Sequence, residues 1–143
     1  MKKIIKTMFI SAIILSGKCS FSSSSSSSSE TFSSEGSISN PVELNTNSSH
    51  SGQTDGYNSS YYVYYSPGGY AYYVTVSNMD EDVDLYVYNE SSFNYYYNYS
   101  TQSGASNTES LWIYPDYYYY SGNLYIEVRP ATNYGANYDI IVK

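Results

Sequence analysis

Asp80-Glu81-Asp82-Val83-Asp84-Leu85-Tyr86-Val87-Tyr88-Asn89 joins an acidic cluster directly to an alternating run. Extended chain sends successive side chains to opposite faces, so Val83, Leu85 and Val87 share one side while Asp80, Asp82 and Asp84 share the other. The stretch therefore predicts a half-buried β-strand entered through a charged loop. Two readings of the charges stay open: a solvated acidic turn, or a cation site in which Asp80, Asp82 and Asp84 supply oxygen ligands.

Outward from this strand, the pattern of short alternating runs and turn residues repeats. Tyr61 to Tyr65, then Ser66-Pro67-Gly68-Gly69, then Tyr70 to Ser77 reads as a hairpin, with proline and glycines where turn geometry wants them. Tyr95 to Tyr99 is a further candidate strand. Leu111 and Ile113 alternate with Trp112 and Tyr114, and Leu124, Ile126 and Val128 share a face after the turn Ser121-Gly122-Asn123. The run Tyr138 to Lys143 closes the chain with Tyr138, Ile140 and Val142 on one side. Nothing here keeps a 3.6-residue apolar period, so the fold class is all-β, an antiparallel β-sandwich of six to eight short strands, jelly-roll-like in kind. All 22 tyrosines lie between Tyr57 and Tyr138, and they supply core mass where aliphatic side chains are scarce.

The chain of 143 residues has room for one such domain and a leader. Lys2, Lys3 and Lys6 precede an apolar run, Met8 to Leu15, too short to span a bilayer, which reads as a secretory signal peptide over residues 1–18. Ser22 to Ser29 is an unbroken serine run. The polar segment 19–54 predicts a disordered tether, because it cannot bury enough apolar surface to offset its ordering entropy. The folded domain then covers 55–143, with a start near residue 41 as the alternative. His50, the single histidine, falls in the tether and reads as an ordinary solvated residue. Cys19, the single cysteine, follows Leu15-Ser16-Gly17-Lys18, which resembles the lipobox of bacterial lipoproteins, although Lys18 stands where a small residue belongs. The expectation is an exported chain lipid-anchored at Cys19 in the envelope or on the outer surface, or else secreted.

Once the first 18 residues are removed, thirteen acidic groups face only Arg129 and Lys143. Such a surface repels nucleic acid and attracts cations. Catalytic signals are scarce: there is no nucleophile elbow, zinc-binding helix motif or glycine-rich phosphate loop, and a carboxylate pair such as Glu109 and Asp116 is what any acidic protein offers. The expectation is a chain that is not an enzyme. Alternation sends every second tyrosine outward, and Tyr96, Tyr97, Tyr99, Tyr118, Tyr120 and Trp112 form the candidate binding face for an extracellular protein or polysaccharide. The alternative is a structural envelope protein that self-associates through its tyrosine-coated sheets.

The order of several motifs resembles the bacterial pre-peptidase C-terminal domain. They are Glu43-Leu44-Asn45, Pro67-Gly68-Gly69, Asp82-Val83-Asp84-Leu85-Tyr86, Asn107-Thr108-Glu109, Gly122-Asn123-Leu124-Tyr125-Ile126-Glu127-Val128 and Tyr138-Asp139-Ile140. The resemblance covers about 100 residues, everything after the tether. It implies a jelly-roll-like sandwich, and through relatives in collagenases it implies roles in calcium and collagen binding. Glu43 and Asn45 join Asp80, Asp82 and Asp84 as the calcium ligand set on this reading.

Overall fold

A computed structural model describes residues 32–94, 96–114 and 122–143. Nine strands follow in order: β1 Val42–Leu44, β2 His50–Thr54, β3 Ser60–Ser66, β4 Tyr72–Ser77, β5 Val83–Tyr88, β6 Tyr96–Ser100, β7 Glu109–Ile113, β8 Gly122–Pro130 and β9 Ala136–Val142. They form a five-stranded sheet in the order β1-β3-β8-β5-β6 and a four-stranded sheet in the order β2-β9-β4-β7. Every pairing is antiparallel except β1 on β3. Strands β2 to β9 divide between the sheets as 2-9-4-7 and 3-8-5-6, the arrangement of the two Greek keys of a jelly roll, with β5 and β6 the one consecutive pair that shares a sheet, so the expected fold class is the observed one.

The core is the set of inward positions. Val83, Leu85 and Val87 of β5, Ile126 and Val128 of β8, Val74 and Val76 of β4, and Ile140 and Val142 of β9 are all fully buried. Tyrosine completes it: Tyr62 and Tyr64 enter from one sheet, Tyr72 and Tyr138 from the other. Tyr62 and Tyr138 meet across the core with their hydroxyls 2.7 Å apart, one donating to the other, and Tyr62 Oη also reaches Glu35 Oε2 at 3.2 Å.

Two expectations need correction. Ser66-Pro67-Gly68-Gly69 does not close a hairpin, since β3 pairs with β1 and β8 while β4 pairs with β7 and β9. The turn, with φ of 83° at Gly68 and 79° at Gly69, carries the chain from one sheet to the other. Both strands bury alternate residues against one core, a pattern that looks the same whether they pair or cross.

The tether also ends earlier than expected, because residues from Phe32 onward pack on the domain and β1 and β2 lie inside the sheets. Ser34 Oγ donates to the Asn58 carbonyl at 2.6 Å, the Asp55 amide donates to Ser34 Oγ, and the Tyr61 amide donates to the Glu35 carbonyl at 2.9 Å. Phe32 lies against Gly135, where a Cβ would overlap its ring. A segment poor in apolar residues is thus held by satisfying backbone groups of the domain. The signal segment, the serine run and Cys19 lie outside the described residues.

Candidate binding faces and the acidic end

Strands β6 and β7 are the last strands of their sheets on the same side of the sandwich, and their side chains link the two. Tyr97 donates its hydroxyl to the Tyr114 carbonyl at 2.5 Å, and Asn98 Nδ2 donates to the Trp112 carbonyl at 3.1 Å. Edge carbonyls of β7 that would otherwise template another chain are covered this way. Tyr97 therefore belongs to the seam and to neither outer face.

The predicted face divides at that seam. On the five-stranded sheet, Tyr96 and Tyr99 of β6 gather around Tyr86 of β5, with ring centroids 5.7 Å and 6.0 Å from it and 5.1 Å from each other. The guanidinium of Arg129 lies 4.2 Å from the Tyr86 ring centroid, a cation–π contact. On the four-stranded sheet, Trp112 packs against Tyr73 at 4.8 Å and lies near-parallel to Tyr114 at 6.2 Å. Tyr96, Tyr99, Trp112 and Tyr114 keep 53, 51, 51 and 62% of their surface exposed. Tyr118 and Tyr120 lie outside the described residues.

Beside the first cluster, Phe93 at φ 53° folds back over the five-stranded sheet and meets Tyr61, Tyr88 and Tyr125. Beneath it Glu127 is buried, with every need met: Ser59 Oγ donates at 2.5 Å, Tyr88 Oη at 2.6 Å, and Arg129 through Nη2 at 3.0 Å. Burial pushes the Glu127 carboxyl up, but the Arg129, Ser59 and Tyr88 hydrogen bonds outweigh it and hold the carboxyl below its ordinary value. Arg129 is thereby fixed for its place on Tyr86. No signal in single residues foretells Glu127, since it takes an outward position of a strand whose inward face is apolar.

The predicted calcium ligands do not converge. Asp80 accepts from the Asn137 amide at 2.6 Å and from Asn137 Nδ2 at 2.8 Å, and so ties the β4–β5 loop to β9. Asp82 anchors the β8–β9 loop, its carbonyl accepting from the Ala131 amide at 3.0 Å, while Asp84 lies on the outer side of β5. Glu43 sits on β1, three strand spacings from β5, which is about 14 Å, and Asn45 follows it. Among the described residues no group of three His, Cys, Asp or Glu side chains could hold a metal ion. Glu43 and Asn45 thus lie apart from the three aspartates.

What the acidic end does hold is Glu109, the last residue of the Asn107-Thr108-Glu109 motif. It occupies the first inward position of β7 and is fully buried. Its Oε1 accepts from the Gln102 amide at 2.7 Å, whereas Oε2, like Oδ1 of Asp82, is buried with no hydrogen-bond partner. Burial pushes the Glu109 carboxyl up and the charges of Asp84 and Asp82 add to this; burial and Asp82 do the same to Asp84. Asp116, its sequence-level acid/base companion, lies outside the described residues.

A second polar group was also hidden. His50 Nε2 lies 2.7 Å from Glu35 Oε2, which accepts from Tyr62 Oη at 3.2 Å, and the His50 ring meets Tyr62 edge-on at 5.6 Å. His50 is therefore a clamp on the segment that leads into β1, not a solvated tether residue.

No family model matches the chain, and no curated protein matches it. Among solved structures it is similar to the pre-peptidase C-terminal domain of a collagenase from Bacillus anthracis, with TM-score 0.58 and 17% identity over 72% of this chain and 94% of that one. It also aligns with PliG, a periplasmic inhibitor of g-type lysozyme from Salmonella Typhimurium, with TM-score 0.42 and 18% identity over 72% and 98%. The first likeness is one of fold, and it agrees with the motif order: the chain has the architecture of a pre-peptidase C-terminal domain.

Proposed function

We propose that this chain is an exported, noncatalytic binding module, held at the cell surface by a lipid on Cys19, that engages an extracellular protein or polysaccharide through its outward-facing aromatic side chains. The observation that carries the reading is the gathering of outward rings into ordered clusters: Tyr96 and Tyr99, half-exposed, around the more covered Tyr86 on one sheet, and Trp112 and Tyr114, half-exposed, beside the more covered Tyr73 on the other. Exposing rings costs solvation that a monomer gains nothing from, and rigid rings with few torsions lose little entropy when a ligand covers them. The proposal carries no calcium ion, because the predicted ligands are spread over three parts of the sandwich.

The test is retention of the full chain on immobilised collagen and on insoluble polysaccharide, with serum albumin as the reference surface. Retention that disappears when both clusters are changed to serine supports the module. Assembly that rises with protein concentration in sedimentation velocity, without retention on any surface, points instead to the self-associating envelope protein.

A further inference from the structure

The outer face of the four-stranded sheet differs from the rest of the domain in charge. Its rows can be read from the register. Trp112 lies beside Tyr73, whose backbone exchanges hydrogen bonds with Lys143; Ser110 lies beside Thr75, which lies beside Ile141; Ser77 lies beside Asp139, which lies beside Ser51. The aromatic row carries no carboxylate. Asp139 is two rows away and both its oxygens are engaged, Oδ1 by Ser51 Oγ and Oδ2 by Asn78 Nδ2, each at 2.8 Å. The opposite sheet presents Glu43, Asp84 and the Glu127–Arg129 pair, and the end of the sandwich presents Asp80, Glu81 and Asp82.

We propose that the strip formed by Tyr73, Trp112 and Tyr114 binds the sugar rings of a neutral polysaccharide, an inference that rests on the binding-module reading and gives it a face and a ligand class. Charge complementarity argues for it: an acidic body repels anionic polymers, and the strip offers the ionic rim of a protein partner a single charge, Lys143 at its β9 end. The apolar face of a pyranose needs a flat, polarisable surface. Trp112 and Tyr114 supply near-parallel rings, their planes 25° apart, backed by Tyr73. The hydroxyls of Thr75 and Ser110 in the next row can donate to and accept from sugar hydroxyls.

Trp112 is the single tryptophan of the chain, so its emission reports on this strip alone. The test combines affinity electrophoresis of the full chain in gels containing hydroxyethylcellulose, β-1,3-glucan or galactomannan, with polygalacturonate as the anionic counterpart, and titration of Trp112 fluorescence with the same polymers. Expected are retardation by at least one neutral polymer, none by polygalacturonate, and an emission change that saturates with the retarding polymer. Trp112→Ala with Tyr114→Ala should weaken binding by roughly tenfold or more, the loss of the two near-parallel rings, while Tyr57→Ala with Tyr65→Ala, at exposed rings of neither cluster, leaves it unchanged. All four side chains point outward, so circular dichroism should report intact sheets in both variants.

Failure of every neutral polymer to retard the chain overturns the inference, as does retardation that survives the Trp112/Tyr114 change. An emission change driven by protein concentration alone also overturns it, in favour of a second copy on this face. Retention on collagen that Tyr96→Ala with Tyr99→Ala removes, with no glycan bound, would retire the strip and leave the binding module standing.

Discussion

Gly52→Ala tests whether residues ahead of 55 belong to the domain. Gly52 is an inward position of β2, and directly below it lie the paired hydroxyls of Tyr62 and Tyr138. A Cβ there would strike Tyr62 Oη and lie 2.6 Å from Tyr138 Cε2 and 3.0 Å from its Cζ. Neither ring can step aside, since both are within 2% of full burial and Tyr62 also donates to Glu35. Overpacking costs about 1–3 kcal/mol. Parting the hydroxyls strands buried polar atoms at about 1–3 kcal/mol more. Stiffening the unfolded chain returns about 0.4–1 kcal/mol. The net loss is therefore about 1–6 kcal/mol, and at its middle, about 3 kcal/mol, it lowers Tm in a domain of this size by on the order of 10–20 °C. Thermal unfolding by circular dichroism reads it, with Ser51→Ala, which removes one exposed hydrogen bond, as the neighbour that should move little. Adding Tyr62→Phe to Gly52→Ala should recover part of the loss, because the hydroxyl that the methyl strikes is gone. A Gly52→Ala chain melting within a degree of the parent would refute the placement of β2 over the tyrosine pair and return residues 41–54 to the tether.

Three further outcomes follow from the charged groups. The carboxyls of Glu109 and Asp84 are raised in the fold, so their contribution to stability is largest below their ordinary values of 4.5 and 3.8 and fades as pH rises through the folded ones. The carboxyl of Asp55, held down to about 2 by hydrogen bonds from Asn58 and Tyr57, and that of Asp139, lowered by Asn78 and Ser51, act in the opposite sense and lose theirs only as pH falls toward that range. Tm should thus climb on going from pH 7 to mildly acidic buffer and drop again near pH 2, and Glu109→Gln should raise Tm at pH 7 while flattening the climb; a Glu109→Gln chain less stable at pH 7 would contradict this. Glu127→Ala leaves Arg129, Tyr88 and Ser59 without their acceptor and should cost about 3–5 kcal/mol in urea unfolding, with a loss under 1 kcal/mol counting against the buried network. Millimolar calcium should leave Tm of the full chain within about 1–2 °C, since an ion bound at a hundred times its Kd would add about 2.7 kcal/mol; a rise of several degrees would reveal a site that the predicted ligands do not make.

The strands that were legible in the sequence are those whose inward positions hold aliphatic residues: Val83, Leu85 and Val87, Leu124, Ile126 and Val128, Ile140 and Val142. Those that were not are β1, only three residues long, and β2, His50-Ser51-Gly52-Gln53-Thr54, which holds no apolar side chain at all. Strand pairing was equally out of reach, because a crossing between sheets and a hairpin bury the same alternate residues. The aromatic clusters could be suspected from alternation, but their division between two faces follows from Tyr97 and Asn98 bridging the seam, and the composition of β6 does not encode it.

The silence of β2 has a physical cause that reaches beyond this strand. Interior volume must be filled to near-crystalline density, and a tyrosine ring fills more of it than any aliphatic residue it replaces. Where Tyr62 and Tyr138 reach across from neighbouring strands, the strand above them can offer only a hydrogen atom or a small polar group: Gly52 and Thr54 on β2, with Ser60 and Ser66 buried at the ends of β3. The hydroxyls of those small residues do the work that methyl groups do elsewhere, as when Ser60 Oγ donates to the Gln53 carbonyl and accepts the Glu35 amide. A core built from tyrosine therefore shifts its hydrophobic signal onto a few strands and strips it from the strands they pack against. Their polar residues then read as tether, although their place in the sandwich is enforced by the rings beneath them.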